Sequence, residues 1–567
     1  MKAAAGRKAA FAAMAALALA GAPLAAQQAP RPMAPVFEGP QLVTVSLPQG
    51  VADSQSGRLI LAARPVAAVN GAAAPSMVAT GDPSWVAAAE VVSLRPNESR
   101  RVDIEAAGFP GALSTIPAGE YWVQVRLDTN HSAAYVETDP EHDFVSAPQR
   151  IRLPSAEPIR LTLESERAYL VRLAIARGQT EEAAARALTR PLPDTPAAAE
   201  MRTHLKEINF ESPSLTAFWG RPMHIRGYVL LPPNYTTTTT RYPTVYRTEG
   251  FGGSMQTLPF TALSHYNLMK SGQTPPMIRV FLDHSSPWGT HEFADSANNG
   301  PWGKALTTEL IPALERQYRM DARPSGRFVT GHSSGGWFAM WQIVRYPDVY
   351  GGAWARAPDP VDFRSFTGVD IYRDGANAFL RPDGSPQYLV RDQGAEVESL
   401  RDYALRENVI GDYGGQFDSF DWVFSPRADD GRAMPLFDRA TGRIDPAVAA
   451  YWREHYDISA ITRRDWRTLK PKLDGKIHLF IGDVDTFHLN EAAHLLQQEM
   501  NTLGARASFT FIPGGTHFNL DTQTVPGDQM GLEKKIAWEM YAIARPTSTL
   551  RPPAATPAPA ASPTPRQ

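Results

Sequence analysis

Arg327-Phe328-Val329-Thr330-Gly331-His332-Ser333-Ser334-Gly335-Gly336 is the stretch that decides the fold of this chain. The apolar, β-branched run predicts a strand ending at Thr330, and Trp337, Met340, Trp341 and Val344 beyond it recur at helical spacing. Between strand and helix stands Gly-x-Ser-x-Gly, a turn so sharp that the positions two before and two after the serine must be glycine. Such a turn lifts the Ser333 hydroxyl above the sheet and puts a helix N-terminus behind it, where developing negative charge is stabilised. In a chain with 42 glycines the bare pattern is weak evidence; its place between a strand and an amphipathic helix makes it specific.

On both sides of this turn, from about Phe210 onward, apolar strands alternate with helices. Strands are expected at His224 to Leu231, Tyr242 to Arg247, Met277 to Leu282, Gly352 to Ala355, Ile477 to Ile481 and Ala507 to Ile512. Helices are expected from Ala305 to Tyr318, Gly335 to Arg345, Leu489 to Leu503 and Leu532 to Ile543. Near-continuous apolar strands with intervening helices imply an α/β unit with a mostly parallel sheet, whose ligands sit beyond the strand C-termini. Trp337 and Trp341 are expected in its core.

A serine hydroxyl is a poor nucleophile until a base takes its proton and a carboxylate orients that base. His517, in Pro513-Gly514-Gly515-Thr516-His517, follows the last expected strand and is the candidate base. Asp485 and Asp483 follow the strand before it; Asp485, farther into the loop, is favoured as the acid, and Asp483 is the alternative that caps a turn. Asp359, between Pro358 and Pro360, is a third carboxylate, read as a turn or binding residue. The oxyanion donors are expected to be the amides of Ser334 and of Phe251, the latter in Glu249-Gly250-Phe251-Gly252-Gly253. Asn299 and Trp302, at the start of the helix after the Met277 to Leu282 strand, are candidate substrate contacts. His284 and His291 lack metal-ligand spacing, so no metal and no organic cofactor are expected.

At these residues the sequence resembles the Putative esterase family of α/β-hydrolases, the group that includes enterochelin esterase-like enzymes, S-formylglutathione hydrolases, feruloyl esterases and antigen 85 mycolyltransferases. The resemblance covers roughly Ser212 to Ile543 and rests on several motifs. They are Val229-Leu230-Leu231-Pro232-Pro233-Asn234-Tyr235, Tyr242-Pro243-Thr244-Val245-Tyr246, Gly250-Phe251-Gly252-Gly253, Gly331 to Gly336, Gly482-Asp483-Val484-Asp485 and Gly515-Thr516-His517. It implies an α/β-hydrolase fold in which Ser333 is nucleophile, Asp485 acid and His517 base, acting on a small-molecule carboxylic ester through an acyl-enzyme. Two departures stand out. Glu249 replaces the histidine that many members carry before the oxyanion glycine, and is a candidate substrate-binding residue. An aromatic-rich insertion, about 362–467, separates Ser333 from Asp485, either a cap over the site or an appendage with its own core. An acyltransferase with the same triad, or a binding protein on a hydrolase scaffold, remains an alternative.

The rest of the 567 residues frame this unit. Positively charged Lys2, Arg7 and Lys8 followed by an apolar run predict a signal peptide, 1–26, and therefore a periplasmic or secreted protein. Residues 36–165 carry short alternating strands, as in Leu42 to Leu47 and Tyr121 to Leu127, the pattern of an immunoglobulin-like all-β sandwich. A linker is expected over 166–210 and a disordered Pro/Ala-rich tail over 545–567. With 56 basic and 59 acidic residues, nucleic acid is not an expected partner, and no stretch beyond the signal peptide is long and apolar enough to span a membrane. The absence of cysteine excludes thiolate nucleophiles and disulfides. Oligomeric state leaves no mark in the sequence.

Overall fold

In the computed structural model, the described residues are 41–51, 53–68, 84–105, 107–129, 141–189, 191–411 and 415–553. The expected signal peptide lies outside them, as does the expected tail beyond Pro553. The chain divides into two compact units.

The larger unit, 192–399 and 416–567, is built on an eight-stranded sheet. Its strands are β1 (Leu205–Glu211), β2 (His224–Leu230), β3 (Thr244–Thr248), β4 (Ile278–Leu282), β5 (Arg327–His332), β6 (Gly352–Arg356), β7 (Ile477–Gly482) and β8 (Ala507–Ile512), in the order β1-β2-β4-β3-β5-β6-β7-β8. The first two pairings along this order, β1 with β2 and β2 with β4, are antiparallel, and every later one is parallel. Strands β3, β4 and β6 are buried at every position, as a sheet covered on both faces requires. Trp337 and Trp341 stack on each other at 5.2 Å and are buried. The helix expected from Ala305 to Tyr318 forms in three pieces, Trp302–Ala305, a π-helical Leu306–Leu310 and Ile311–Gln317.

A buried ion network braces the strands flanking β5. Glu533, from the last helix (Gly531–Ala544), accepts from Arg247 at the end of β3 and from Arg356 at the end of β6. Arg356 also pairs with Asp521, and the two arginines hold the Glu533 carboxyl well below the usual carboxylate range despite its burial. Replacing one member of such a network strands the others without charge partners. Glu533→Gln is therefore expected to destabilise the fold by about 3–5 kcal/mol, read as a lowered urea midpoint; an unchanged midpoint would show that the remaining carboxylates suffice.

The smaller unit comprises the described residues up to 191 together with those within 400–415. Its sheet has nine strands, of which Leu42–Ser46 and Ile159–Ser165 form the parallel pair. Alternate residues such as Val43 and Val45, Leu59 and Leu61, Val123 and Val125, Leu161 and Leu163 point into one core. Residues 166–210, expected as a linker, are folded. The helices Glu166–Ala176 and Glu181–Leu188 belong to this unit, whereas Pro196–His204 and β1 belong to the larger one. The boundary falls at Pro191 and Leu192.

The insertion also differs from the expected single block. Its helix Leu400–Ile410 belongs to the smaller unit, where Val409 packs with Ile60, Ala62, Val86 and Ala88 on the outer face of the sheet. Arg58, paired with Glu90 at 3.0 Å, donates to the Val409 carbonyl at 2.9 Å and so caps the helix C-terminus. Most of the insertion's aromatic residues stay in the larger unit. Phe363, Phe366, Phe420, Phe424 and Trp452 pack in one aromatic cluster, several pairs edge to face, that reaches Trp337 of the helix after β5 at 4.8 Å.

Candidate active site

Every candidate catalytic group follows the C-terminal end of a strand in the larger sheet. Ser333, directly after β5, adopts φ 59° and ψ −123°, the strained backbone of a nucleophile turn. The glycines explain themselves by close approach. A Cβ on Gly331 would lie 2.2 Å from the Gly335 carbonyl oxygen, and one on Gly335 would lie 2.5 Å from that of Thr248. The Ser333 carbonyl accepts from Gly336 at 2.7 Å and Trp337 at 3.0 Å, which starts the helix Ser334–Arg345 immediately behind the hydroxyl.

After β7, Asp485 is buried. One of its oxygens accepts from the amides of Phe487 at 2.9 Å and Leu489 at 3.3 Å, and the other lies 2.9 Å from His517 Nδ1. Asp483 instead accepts from the Gly514 amide at 2.8 Å, a turn cap between β7 and β8. A carboxylate beside Nδ1 keeps the proton on that nitrogen and leaves Nε2 as the basic atom. His332 Nε2 donates to the His517 carbonyl at 2.8 Å, and burial holds His332 neutral. The hairpin Tyr388–Asp392 and Ala395–Ser399 of the insertion fastens the Asp485 loop, with Arg391 donating to the Asp485 carbonyl at 2.7 Å and to Asn490 at 2.6 Å.

The turn after β3 lies against Ser333. A Cβ on Gly250 would stand 3.1 Å from Ser333 Cβ, so the backbone leading into Phe251 passes beside the Ser333 side chain. His284 Nε2 donates to the Gly250 carbonyl at 3.2 Å, and burial lowers His284 to about 4, so it is a neutral prop for this turn. Glu249 leans back to Arg247 at 3.4 Å, with Oε1 buried and without a partner among the described residues. Asn299 is buried with both polar side-chain atoms unpaired among the described residues, while its carbonyl accepts from the indoles of Trp302 at 2.8 Å and Trp219 at 3.2 Å. Trp302 is stacked on His291 at 3.6 Å and is a wall residue with its N–H already used.

The residue whose contact the sequence did not disclose is Asp359, after β6. Ser333 Oγ donates to its Oδ1 at 3.2 Å and Ser334 Oγ to its Oδ2 at 2.7 Å, while the Asp359 amide donates to the Ser333 carbonyl at 3.2 Å. Burial pushes this carboxyl up to about 6. Glu292, fully buried with φ 49°, is raised well above the usual carboxylate range by its own burial and then by the charge of Asp359. Two acids pushed toward their neutral forms thus stand behind the serine.

Because Asp359 is raised from 3.8 in the unfolded chain to about 6, folding binds an extra proton between those values. Its contribution to stability is complete below about pH 4 and is lost as pH rises through 6, a decline of about 3 kcal/mol at about 1.4 kcal/mol per unit. Asp359→Asn keeps an acceptor for Ser333 and removes the titration. The variant is expected to be more stable than wild type above pH 6, the gap closing toward pH 4 in urea titrations. A gap independent of pH would contradict this account.

Comparison with known proteins adds to this geometry. Residues 218–476 match the model of the family described as Putative esterase. The uncharacterized protein YbbA of Bacillus subtilis (strain 168) is 25% identical over 197 residues, 31% of this chain and 72% of that protein. Esterase Rv1288 of Mycobacterium tuberculosis (strain ATCC 25618 / H37Rv) is 29% identical over 119 residues, which span 21% of this chain and a quarter (25%) of the relative. Among solved structures, an S-formylglutathione hydrolase from Agrobacterium tumefaciens aligns with a TM-score of 0.33 and 15% identity, covering 60% of this chain and 94% of the other.

Proposed function

We propose that this chain, whose residues 218–476 match the Putative esterase family model, is a carboxylic ester hydrolase of the α/β-hydrolase superfamily that works through Ser333, His517 and Asp485. The observation that carries this reading is the 2.9 Å contact of His517 Nδ1 with the buried Asp485, on loops that leave the same sheet edge as the strained Ser333 turn. His517 Nε2 takes the Ser333 proton as Oγ attacks the ester carbonyl, and the oxyanion is held by the amides of Ser334 and Phe251. The alcohol departs with the proton from His517, and water, deprotonated by the same imidazole, releases the acid.

Before attack, Ser333 Oγ must leave Asp359 for His517, a rotation that substrate entry into the site would drive. Glu249, through its Oε1, and Asn299, through its side-chain amide, have buried polar atoms without partners among the described residues and are assigned to polar groups of the substrate, with Trp302 as the wall beside them. The substrate is a small-molecule ester. Export to the periplasm or the medium is part of the proposal and rests on the charge and apolar pattern of residues 1–26. We also read the N-terminal unit as an immunoglobulin-like sandwich, supported by its single core fed by alternate residues of its strands. No helix among the described residues is long and apolar enough to cross a membrane.

The test is a panel of short-acyl, feruloyl, acetyl-sugar and siderophore esters, run on wild type and on Ser333→Ala. Turnover of at least one ester by wild type alone supports the reading; no turnover of any of them, or equal turnover by both proteins, overturns it.

A further inference from the structure

A second concavity of the larger unit, formed by the insertion and the helices that follow it, has a volume of about 740 Å³, in the range of small-molecule sites. Its lining is unusual for a chain of net charge −3, because five arginines face it: Arg373, Arg443, Arg453, Arg463 and Arg464. Only Asp374 and Glu454 oppose them from within the lining. Arg463 is paired with Glu499, and Arg464 with Asp465 at 2.8 Å. Arg373, Arg443 and Arg453 have no carboxylate partner within 4.0 Å among the described residues.

The Arg453 side chain is held by an aromatic ring, and Arg443 by its backbone alone. The Arg453 guanidinium lies over the Tyr372 ring at 5.3 Å, and the Tyr372 hydroxyl donates to Asp457 at 2.8 Å, so ring and cation share one orientation. Arg443 sits on a tight turn in which the Asp438 amide donates to the Arg443 carbonyl at 3.0 Å. Beneath the charges the floor is apolar, formed by Ile371, Ala376, Ile444 and Ala449, all buried.

We propose that this cleft binds an organic phosphate, its phosphate held by Arg373, Arg443 and Arg453 and its apolar body laid on the floor of Ile371, Ile444 and Ala449. Three unpaired guanidinium groups exceed what one carboxylate neutralises, whereas a phosphate monoester carries close to two negative charges and three acceptor oxygens. Planar guanidinium forks match those oxygens two at a time. The floor favours a ligand with an apolar body over the bare anion. None of these residues belongs to the catalytic machinery, so this site stands or falls independently of the triad.

The experiment is titration calorimetry of the full chain at low salt with phenyl phosphate and, separately, inorganic phosphate. Phenyl phosphate is expected to bind at least about tenfold more tightly than inorganic phosphate, through the floor, and to weaken as salt rises. The triple variant Arg373→Gln/Arg443→Gln/Arg453→Gln is expected to lose at least about tenfold in phenyl phosphate affinity. Ala450→Glu, which adds a carboxylate at an exposed position of the lining, serves as a second variant with the same expected loss should the triple variant fail to fold. Turnover of p-nitrophenyl acetate is expected to be unchanged in both. Absence of heat with wild type, equal affinity for the two probes, or a folded variant that binds like wild type would each overturn the proposal.

Discussion

Ser333→Ala is expected to lower kcat on the best ester by roughly 10⁴- to 10⁶-fold, with KM changed far less. The size of the expected loss follows from the role proposed for the hydroxyl. In that role it forms the covalent bond that divides hydrolysis into two easier steps, and no neighbouring group replaces it. Ser334 points its own hydroxyl at Asp359 Oδ2, at 2.7 Å, and lies one residue beyond the strained position that presents Ser333. The residual rate comes from the oxyanion donors and from binding, which the substitution leaves in place. Single-turnover kinetics and fluorophosphonate labelling check the same residue by two routes. Wild type is expected to be labelled at Ser333 and the variant to be unlabelled. A variant that keeps more than about a tenth of wild-type turnover would remove Ser333 from the mechanism.

Asp485→Asn is expected to cost about 10⁴-fold in kcat near pH 7, again with little change in KM. The carboxylate meets His517 at Nδ1 and is already fixed by two amide donors, Phe487 and Leu489, so its orientation does not depend on the histidine. An asparagine in that place can offer its NH₂ to Nδ1. The imidazole then carries its proton on Nε2, where a base is needed, and the imidazolium formed during attack loses its counter-charge. Asp483→Asn is the matching control. Its carboxylate serves the Gly514 amide at 2.8 Å, so its loss should lower kcat by less than about tenfold. Equal losses in the two variants would mean that the loop as a whole, rather than one carboxylate, supports the histidine.

The parts of this molecule that were legible in the sequence are those whose burial leaves a one-dimensional pattern. Strands β3 to β7 are apolar runs because helices cover both of their faces, and the glycines of the Ser333 turn are dictated by contacts shorter than a Cβ permits. Strand β1, Leu-Lys-Glu-Ile-Asn-Phe-Glu, escaped because it is an edge strand in which Ile208 alone is buried. Its residues look like those of a connector. The partners of Asp359 escaped for a different reason. Its sequence neighbours, Pro358 and Pro360, announce a rigid turn, but which hydroxyl the carboxylate meets depends on how β6 lies beside β5. Glu292 carried no signal at all, since a lone glutamate in a polar loop is ordinarily solvated. The assignment of the helix Leu400–Ile410 to the N-terminal unit was illegible as well, because the helix pattern says that a face is buried without saying against what.

That helix has a consequence for the order in which the chain acquires its structure. Among the described residues the backbone passes from one unit to the other near residues 191, 399 and 415. The N-terminal sheet, with Ile60, Ala62, Val86 and Ala88 waiting for Val409, remains uncovered until more than 300 further residues have been made. The first unit to leave the ribosome is therefore among the last to be finished, and a nascent chain must keep an apolar sheet face from premature company throughout that interval.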